Sequence, residues 1–245
     1  MPGATYGWRA RIGFIGPSPA TENGPYEFYR MVPPGVTLVE TRLGVTFTGR
    51  ADPEVAFAGL EEAVRELHVR GVDAIIQVGV PYVVAGGPGY ERTVLERVAK
   101  VTSIPASCDI FTCVEALRAL SVERVALVTP FPANTNDDIG RYLAGNDITV
   151  RSVVRATQPE GVDLSLMPLP EIYRSAKRAF ASAGDARGVL INGARMPSVE
   201  IIAELEQDLG VPVVSSMQAM TWTGLRLAGV RASIDGYGRL FHVAD

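Results

Sequence analysis

Residues 11–17, Arg-Ile-Gly-Phe-Ile-Gly-Pro, and residues 124–130, Arg-Val-Ala-Leu-Val-Thr-Pro, are two copies of one pattern set 113 positions apart. Each is a short apolar run stopped by proline, the signature of a strand buried on both faces of a parallel sheet. A second pair, Ala74-Ile-Ile-Gln-Val-Gly79 and Gly188-Val-Leu-Ile-Asn-Gly193, repeats at an offset of 114. A third, Ile104-Pro105 and Val211-Pro212, repeats at 107 and leads in both halves towards a helix containing Leu-Arg, at Leu117-Arg118 and Leu225-Arg226. The order is the same in both halves, so the chain reads as a duplicated α/β unit.

Strands are predicted over 11–16, 36–43, 72–78, 123–129, 188–192 and 211–214. Between them, apolar residues at helical spacing predict helices over 53–70, 91–101, 112–120, 136–144, 171–183, 198–209 and 218–228. Alternation of this kind predicts two pseudo-symmetric lobes, each a mostly parallel sheet flanked by helices. The first lobe is expected over 1–118 and completed by 217–245, the second over 119–216.

Composition narrows the function. With 245 residues, 47% hydrophobic and 20% charged, the chain has the make-up of a water-soluble globular protein with a substantial core. The net charge of −4 carries no basic block, which argues against nucleic acid and for a small-molecule partner. The uncharged window 74–90 is interrupted by Gly79, Pro81 and the 86–89 Gly-Gly-Pro-Gly cluster, so no membrane helix is expected there. Cys108 and Cys113 form neither a CxxC pair nor a disulfide framework, which predicts a reducing, cytoplasmic setting.

In open parallel sheets, ligands collect beyond the carboxyl ends of the strands. The loops starting at Pro17, Gly79, Cys108, Pro130, Gly193 and Ser215 are therefore the candidate site, lining one cleft if the lobes face each other. Candidate binding residues are Pro17, Ser18, Thr21, Gly79, Val80, Pro81, Phe131, Asn192, Gly193, Ala194, Arg195 and Ser215. Arg195 is read either as a guanidinium that holds a carboxylate through two parallel hydrogen bonds or as a surface arginine. For proton chemistry the candidates are Tyr82, Cys108 and Asp109. Asn136 is read either as a donor turned towards ligand or as part of a helix cap. Cys108 is read either as an acid or as a small buried hydrophobe. The 86–89 cluster is expected to form a rim or lid. There is no dinucleotide fingerprint and no phosphate loop, and His68 and His242 lack metal-ligand spacing, so no cofactor or metal is expected.

The sequence resembles the aspartate/glutamate racemase superfamily, and most of all its maleate cis-trans isomerase and arylmalonate decarboxylase branch. The resemblance covers nearly the whole chain. Its carriers are Pro17-Ser-Pro-Ala-Thr21, Glu27-Phe-Tyr-Arg-Met-Val-Pro-Pro-Gly35, the 124–130 run with Asn136, Val211-Pro-Val-Val-Ser-Ser-Met-Gln218 through Leu225-Arg-Leu-Ala-Gly229, and Gly236-Tyr-Gly-Arg-Leu-Phe241. It implies a two-lobed fold with the active site between the lobes, is compatible with a homo-oligomer, and implies cofactor-free chemistry at a carbon next to a carboxylate. It also implies one or two catalytic cysteines at the strand ends occupied here by Gly79 and Gly193. The usual threonine after the first is Val80, and the asparagine of the isomerases' Pro-Ser-x-Asn-Thr loop is Ala20.

The expected activity is isomerase, decarboxylase or other lyase chemistry on a small carboxylate or carbonyl compound without that cysteine pair. Hydrolysis of a cyclic imide, amide or lactone, and non-catalytic small-molecule binding, are the alternatives.

Overall fold

The structure is a computed structural model that describes residues 5–47, 51–158 and 162–243. The first half runs β1 (Ala10–Gly16), α1 (Asn23–Met31), β2 (Val36–Arg42), α2 (Pro53–Ala56), α3 (Leu60–Val69), β3 (Ala74–Gln77), α4 (Val80–Ala85), α5 (Tyr90–Ala99), β4 (Ala106–Cys108) and α6 (Asp109–Ala119). The second runs β5 (Arg124–Thr129), α7 (Ala133–Ala144), β6 (Thr149–Arg155), α8 (Leu169–Ala181), β7 (Gly188–Ile191), α9 (Ile202–Leu209), β8 (Val213–Ser215) and α10 (Ser216–Leu227).

The strands form two parallel four-stranded sheets, ordered β2-β1-β3-β4 and β6-β5-β7-β8. Each strand of the first sheet has its counterpart at the matching place in the second, as the repeat requires. The inner strands β1, β3, β5 and β7 are almost wholly buried, which is why they read as unbroken apolar runs. Helix α10 is buried from Ser216 to Leu225 and packs against α6, β3 and β4 of the first sheet.

Three local readings are corrected. The helix expected over 53–70 is two, broken at Phe57–Gly59: the Asp52 carboxylate caps α2, and Phe57 is buried against Tyr82 and Tyr90 instead of continuing the surface stripe. The edge strand β6 alternates between exposed and half-buried residues, including Arg151 and Arg155, so it lacks an apolar run to betray it. The residues of α4 read as loop because of Pro81 and the flanking glycines, yet a proline in the first turn suits a helix. Among the described residues no helix is long and apolar enough to cross a membrane.

Helix α1 ties the lobes together. Glu27 is buried, and its Oε1 accepts the amides of Ser198 (2.5 Å) and Val199 (2.9 Å) in the second half. Asn23 Nδ2 donates to the Ala194 carbonyl (3.2 Å), and Tyr26 donates to Glu200 (2.7 Å). Burial pushes the Glu27 carboxyl up to about 7, outweighing the two amides that pull it down.

An acid whose folded pKa is raised binds extra protons in the native state, so its contribution to stability falls as pH rises between the unfolded and folded values. The stability of the wild type relative to Glu27→Gln is therefore expected to fall by on the order of 3 kcal/mol from pH 4.5 to pH 8, measured by denaturant titration. A difference that does not change with pH would remove Glu27 as a titrating link between the lobes.

Candidate active site

In each sheet the chain leaves the central strand to one side and returns to the other, so the loops after β1 and β3, and after β5 and β7, diverge at the strand ends. Two close contacts shape these crevices. Gly79 has φ +123°, and a Cβ on it would lie 3.0 Å from Pro17 Cγ and 3.2 Å from Tyr82 Cδ2. Gly193 has φ +152°, and its Cβ would lie 2.8 Å from Pro130 Cδ. A side chain fits at Gly193 only if a proline ring moves.

The crevices open into one cavity of about 440 Å³, within the range of small-molecule sites, with Phe14, Phe47, Phe131 and Met217 among its apolar walls.

The cavity's polar groups are unequal between the lobes. The Gly79 amide donates to Asp109 Oδ2 (3.2 Å), while the Gly193 amide donates to Ser216 Oγ (3.1 Å), at the pseudo-equivalent position. Burial pushes the Asp109 carboxyl up to about 6, opposed by the Gly79 and Val80 amides and the Ser216 hydroxyl. It is therefore mostly ionised at pH 7. Pro81 has no N–H, and the Tyr82 amide donates to the Gly79 carbonyl (3.3 Å). The first lobe's loop thus spends its amides on Asp109 and on itself.

Among the described residues, eight buried side-chain polar atoms have no hydrogen-bond partner. Three of them, Asp109 Oδ1, Tyr82 OH and Arg195 Nε, belong to residues lining this cavity. The Tyr82 ring is held edge-on by Phe47 and Phe57, and burial raises its phenol above the ordinary value. Arg195 also pairs through Nη2 with Asp163 at the cavity rim. Across the rim, Arg42 pairs with Glu40 at 2.5 Å, and burial raises the Glu40 carboxyl against that pairing.

Twelve sequence candidates line the cavity: Pro17, Ser18, Thr21, Gly79, Val80, Pro81, Tyr82, Asp109, Phe131, Gly193, Ala194 and Arg195. Four do not. Asn136 accepts from Thr129 Oγ1 (2.6 Å) and donates to the Phe131 carbonyl (3.1 Å), so both ends of its amide brace the loop after β5. Ser215 caps α10 in a reciprocal box with Gln218, and Asn192 donates to Ser216 Oγ (3.0 Å), which is likewise outside the lining. Cys108 is fully buried away from the lining, and burial drives its thiol far above the ordinary range.

The 86–89 turn is no lid over this cavity: Pro88 sits over Gly145, and none of the four residues lines the site. His242 stays with Ser233 (2.7 Å) and Asp235, outside the lining.

Sequence reasoning missed Glu40, Arg42, Phe47 and Asp163. Arg42 was within reach, because Arg155 stands 113 positions on, where β6 ends as β2 does.

The arylmalonate decarboxylase family model matches residues 12–241. The chain is 31% identical over 235 residues to arylmalonate decarboxylase of Bordetella bronchiseptica, covering 94% of this chain and 95% of the relative. It is 27% identical over 185 residues to maleate isomerase of Nocardia farcinica, covering 74% and 73%. A crystal structure of arylmalonate decarboxylase superposes with a TM-score of 0.82 at 26% identity, covering 96% of this chain and all of that one. The two parallel sheets flanked by helices are the fold of these enzymes.

Two measurements check the geometry of the site. Gly193→Cys is expected to cost about 1–3 kcal/mol of stability by denaturant titration, because φ is positive there and Pro130 blocks the new Cβ. Iodoacetamide is expected to leave Cys108 and Cys113 unmodified in the native protein and to alkylate both after unfolding. Fast native alkylation of Cys108 would place its thiol within reach of the cleft.

Proposed function

The chain belongs to the arylmalonate decarboxylase family, and we propose that it is a cofactor-independent enzyme acting beside the carbonyl of a small carboxylate or related compound without a catalytic thiol. The observation that carries this reading is that three residues lining one cavity each keep a buried polar atom with no partner among the described residues: a cationic donor, a phenol and a carboxylate oxygen. A bound molecule with a carboxylate or carbonyl oxygen supplies the acceptor that Arg195 Nε lacks. Leaving such groups buried and unpaired would otherwise cost stability.

The chemistry follows from those groups. When a carboxyl group leaves the carbon beside the carbonyl as carbon dioxide, the electron pair of the broken bond spreads onto the carbonyl oxygen. The Arg195 guanidinium meets the charge that builds there, in a cavity whose apolar walls strengthen the interaction. Tyr82, whose raised pKa keeps its proton at neutral pH, is the group we assign to protonate the carbon, and the phenolate then recovers a proton from water. Carbon dioxide and the acid protonated at that carbon are the products.

Neither cysteine of this chain lines the cavity. Glycine at 79 and 193 leaves that role to Tyr82.

The purified protein is expected to turn over at least one member of a panel of arylmalonates, maleate, hydantoins and small lactones, followed by NMR for isomer, carbon dioxide release and ring opening. Tyr82→Phe is expected to lower the rate by about 10²–10⁴-fold with its fold intact by circular dichroism. Failure of the folded wild type on the whole panel would refute the enzyme reading, and an unchanged rate in Tyr82→Phe would refute the assigned proton donor.

A further inference from the structure

The two lobes use the same backbone device with different chemistry. In both, the first residue of the helix after the outermost strand accepts the amide of a strand-end glycine, Gly79 on Asp109 and Gly193 on Ser216. Ser216 Oγ also accepts from Asn192 Nδ2 and does not line the cavity. Asp109 lines the cavity, and it has a second oxygen, Oδ1, that is buried and has no partner among the described residues. A carboxylate oxygen in that position is an acceptor only, so what it requires is a donor.

No hydrogen bond from the described residues reaches Oδ1. The Gly79 and Val80 amides and the Ser216 hydroxyl are already on this carboxylate, Pro81 has no N–H, and the Tyr82 amide is on the Gly79 carbonyl. A substrate carboxylate placed against this half of the cleft would meet like charge. Facing the opposite half it meets Arg195, whose Nε lacks an acceptor. With Arg42 paired to Glu40 and Arg195 paired through Nη2 to Asp163, the groups left without a partner are Asp109 Oδ1, an acceptor, and the Tyr82 hydroxyl in the first lobe, and Arg195 Nε, a donor, in the second.

We propose that the ligand of this cleft carries an N–H group seated on Asp109 Oδ1, with its carboxylate or carbonyl oxygen towards Arg195. The class that fits is a small amino, amido or ureido acid, or a cyclic imide, in which an N–H and a carbonyl oxygen lie at opposite sides of a compact, partly apolar body. Asp109 is then the residue that sets specificity, and a donor-free dicarboxylate is a poor fit. This inference rests on the proposed reading of the cleft as the site of a carboxylate or carbonyl enzyme.

Binding to matched compounds tests it, read by isothermal titration and by the shift in melting temperature. One set is phenylglycine, mandelate and phenylacetate, which differ only in presenting an ammonium, a hydroxyl or no donor. The other is hydantoin against 1,3-dimethylhydantoin, which removes neutral N–H groups. At least one N–H compound is expected to bind the wild type tenfold or more tightly than its donor-free partner.

Asp109→Asn keeps an acceptor for the Gly79 amide and puts an amide donor in place of Oδ1, so the preference is expected to vanish or reverse. Asp109→Ser recreates the arrangement of the second lobe and serves as the second variant should the first fail to fold. Equal binding of donor-free and N–H compounds overturns the proposal, as does a preference unchanged by either variant, and a preference for mandelate alone replaces N–H with O–H. Turnover of phenylmalonate or maleate with no affinity for any N–H compound overturns this inference and leaves the enzyme reading standing. No binding and no turnover by any compound overturns both.

Discussion

The cleft depends on the packing of a proline ring against a glycine that has no room for a side chain, and the molecule makes this contact twice. Pro17 ends the central strand of the first sheet and sits over Gly79, and Pro130 ends the central strand of the second and sits over Gly193. Both glycines hold a positive φ, so a side chain there would meet backbone strain as well as a ring. These contacts bring the ends of neighbouring strands close together at the point where the loops diverge, which is where an open parallel sheet collects a ligand. The remaining parts of the site hang on them: the amide of each glycine finds its acceptor on the first residue of the following helix, and that fixes where Asp109 stands.

Duplication supplies the scaffold, and the chemistry departs from the duplication. Asp109 and Ser216 occupy matching positions, as do Asn23 and Asn136, yet only Asp109 of the first pair lines the cavity. Of the second pair, Asn136 braces its own loop, whereas Asn23 reaches across to the Ala194 carbonyl in the other lobe. A cleft assembled from two nearly equal halves thereby has different groups on its two sides. That inequality is what a substrate with different groups at its two ends requires.

Much of the fold was legible because buried parallel strands have to be apolar throughout: the runs at 11–16, 74–78, 124–129 and 188–191 have no other comfortable place. The edge strand β6 was not legible, since a strand wet on one face can carry Arg151 and Arg155 and loses that pattern. Twelve of the sixteen candidate site residues line the cavity because strand-end loops can be read from strands. What could not be read is which polar groups their neighbours satisfy. Asn136 looks like a ligand-facing amide in the sequence, but Thr129 and Phe131 take up both ends of it, and the Asn192 amide nitrogen goes to Ser216 while its Oδ1 has no partner. In Asp109 and Tyr82 the opposite holds, and a lack of partners inside the protein becomes visible only in three dimensions.

A cleft in which Tyr82 delivers a proton to the carbon beside a carbonyl works without either thiol and labels its product from the solvent. The most direct measurement is NMR detection of solvent deuterium at that carbon of a turned-over substrate, comparing the wild type with a Cys108→Ala/Cys113→Ala double variant. Incorporation at closely matched rates in the two proteins is the expected result. Incorporation by the wild type that disappears in the folded double variant would contradict the account and return the chemistry to a cysteine.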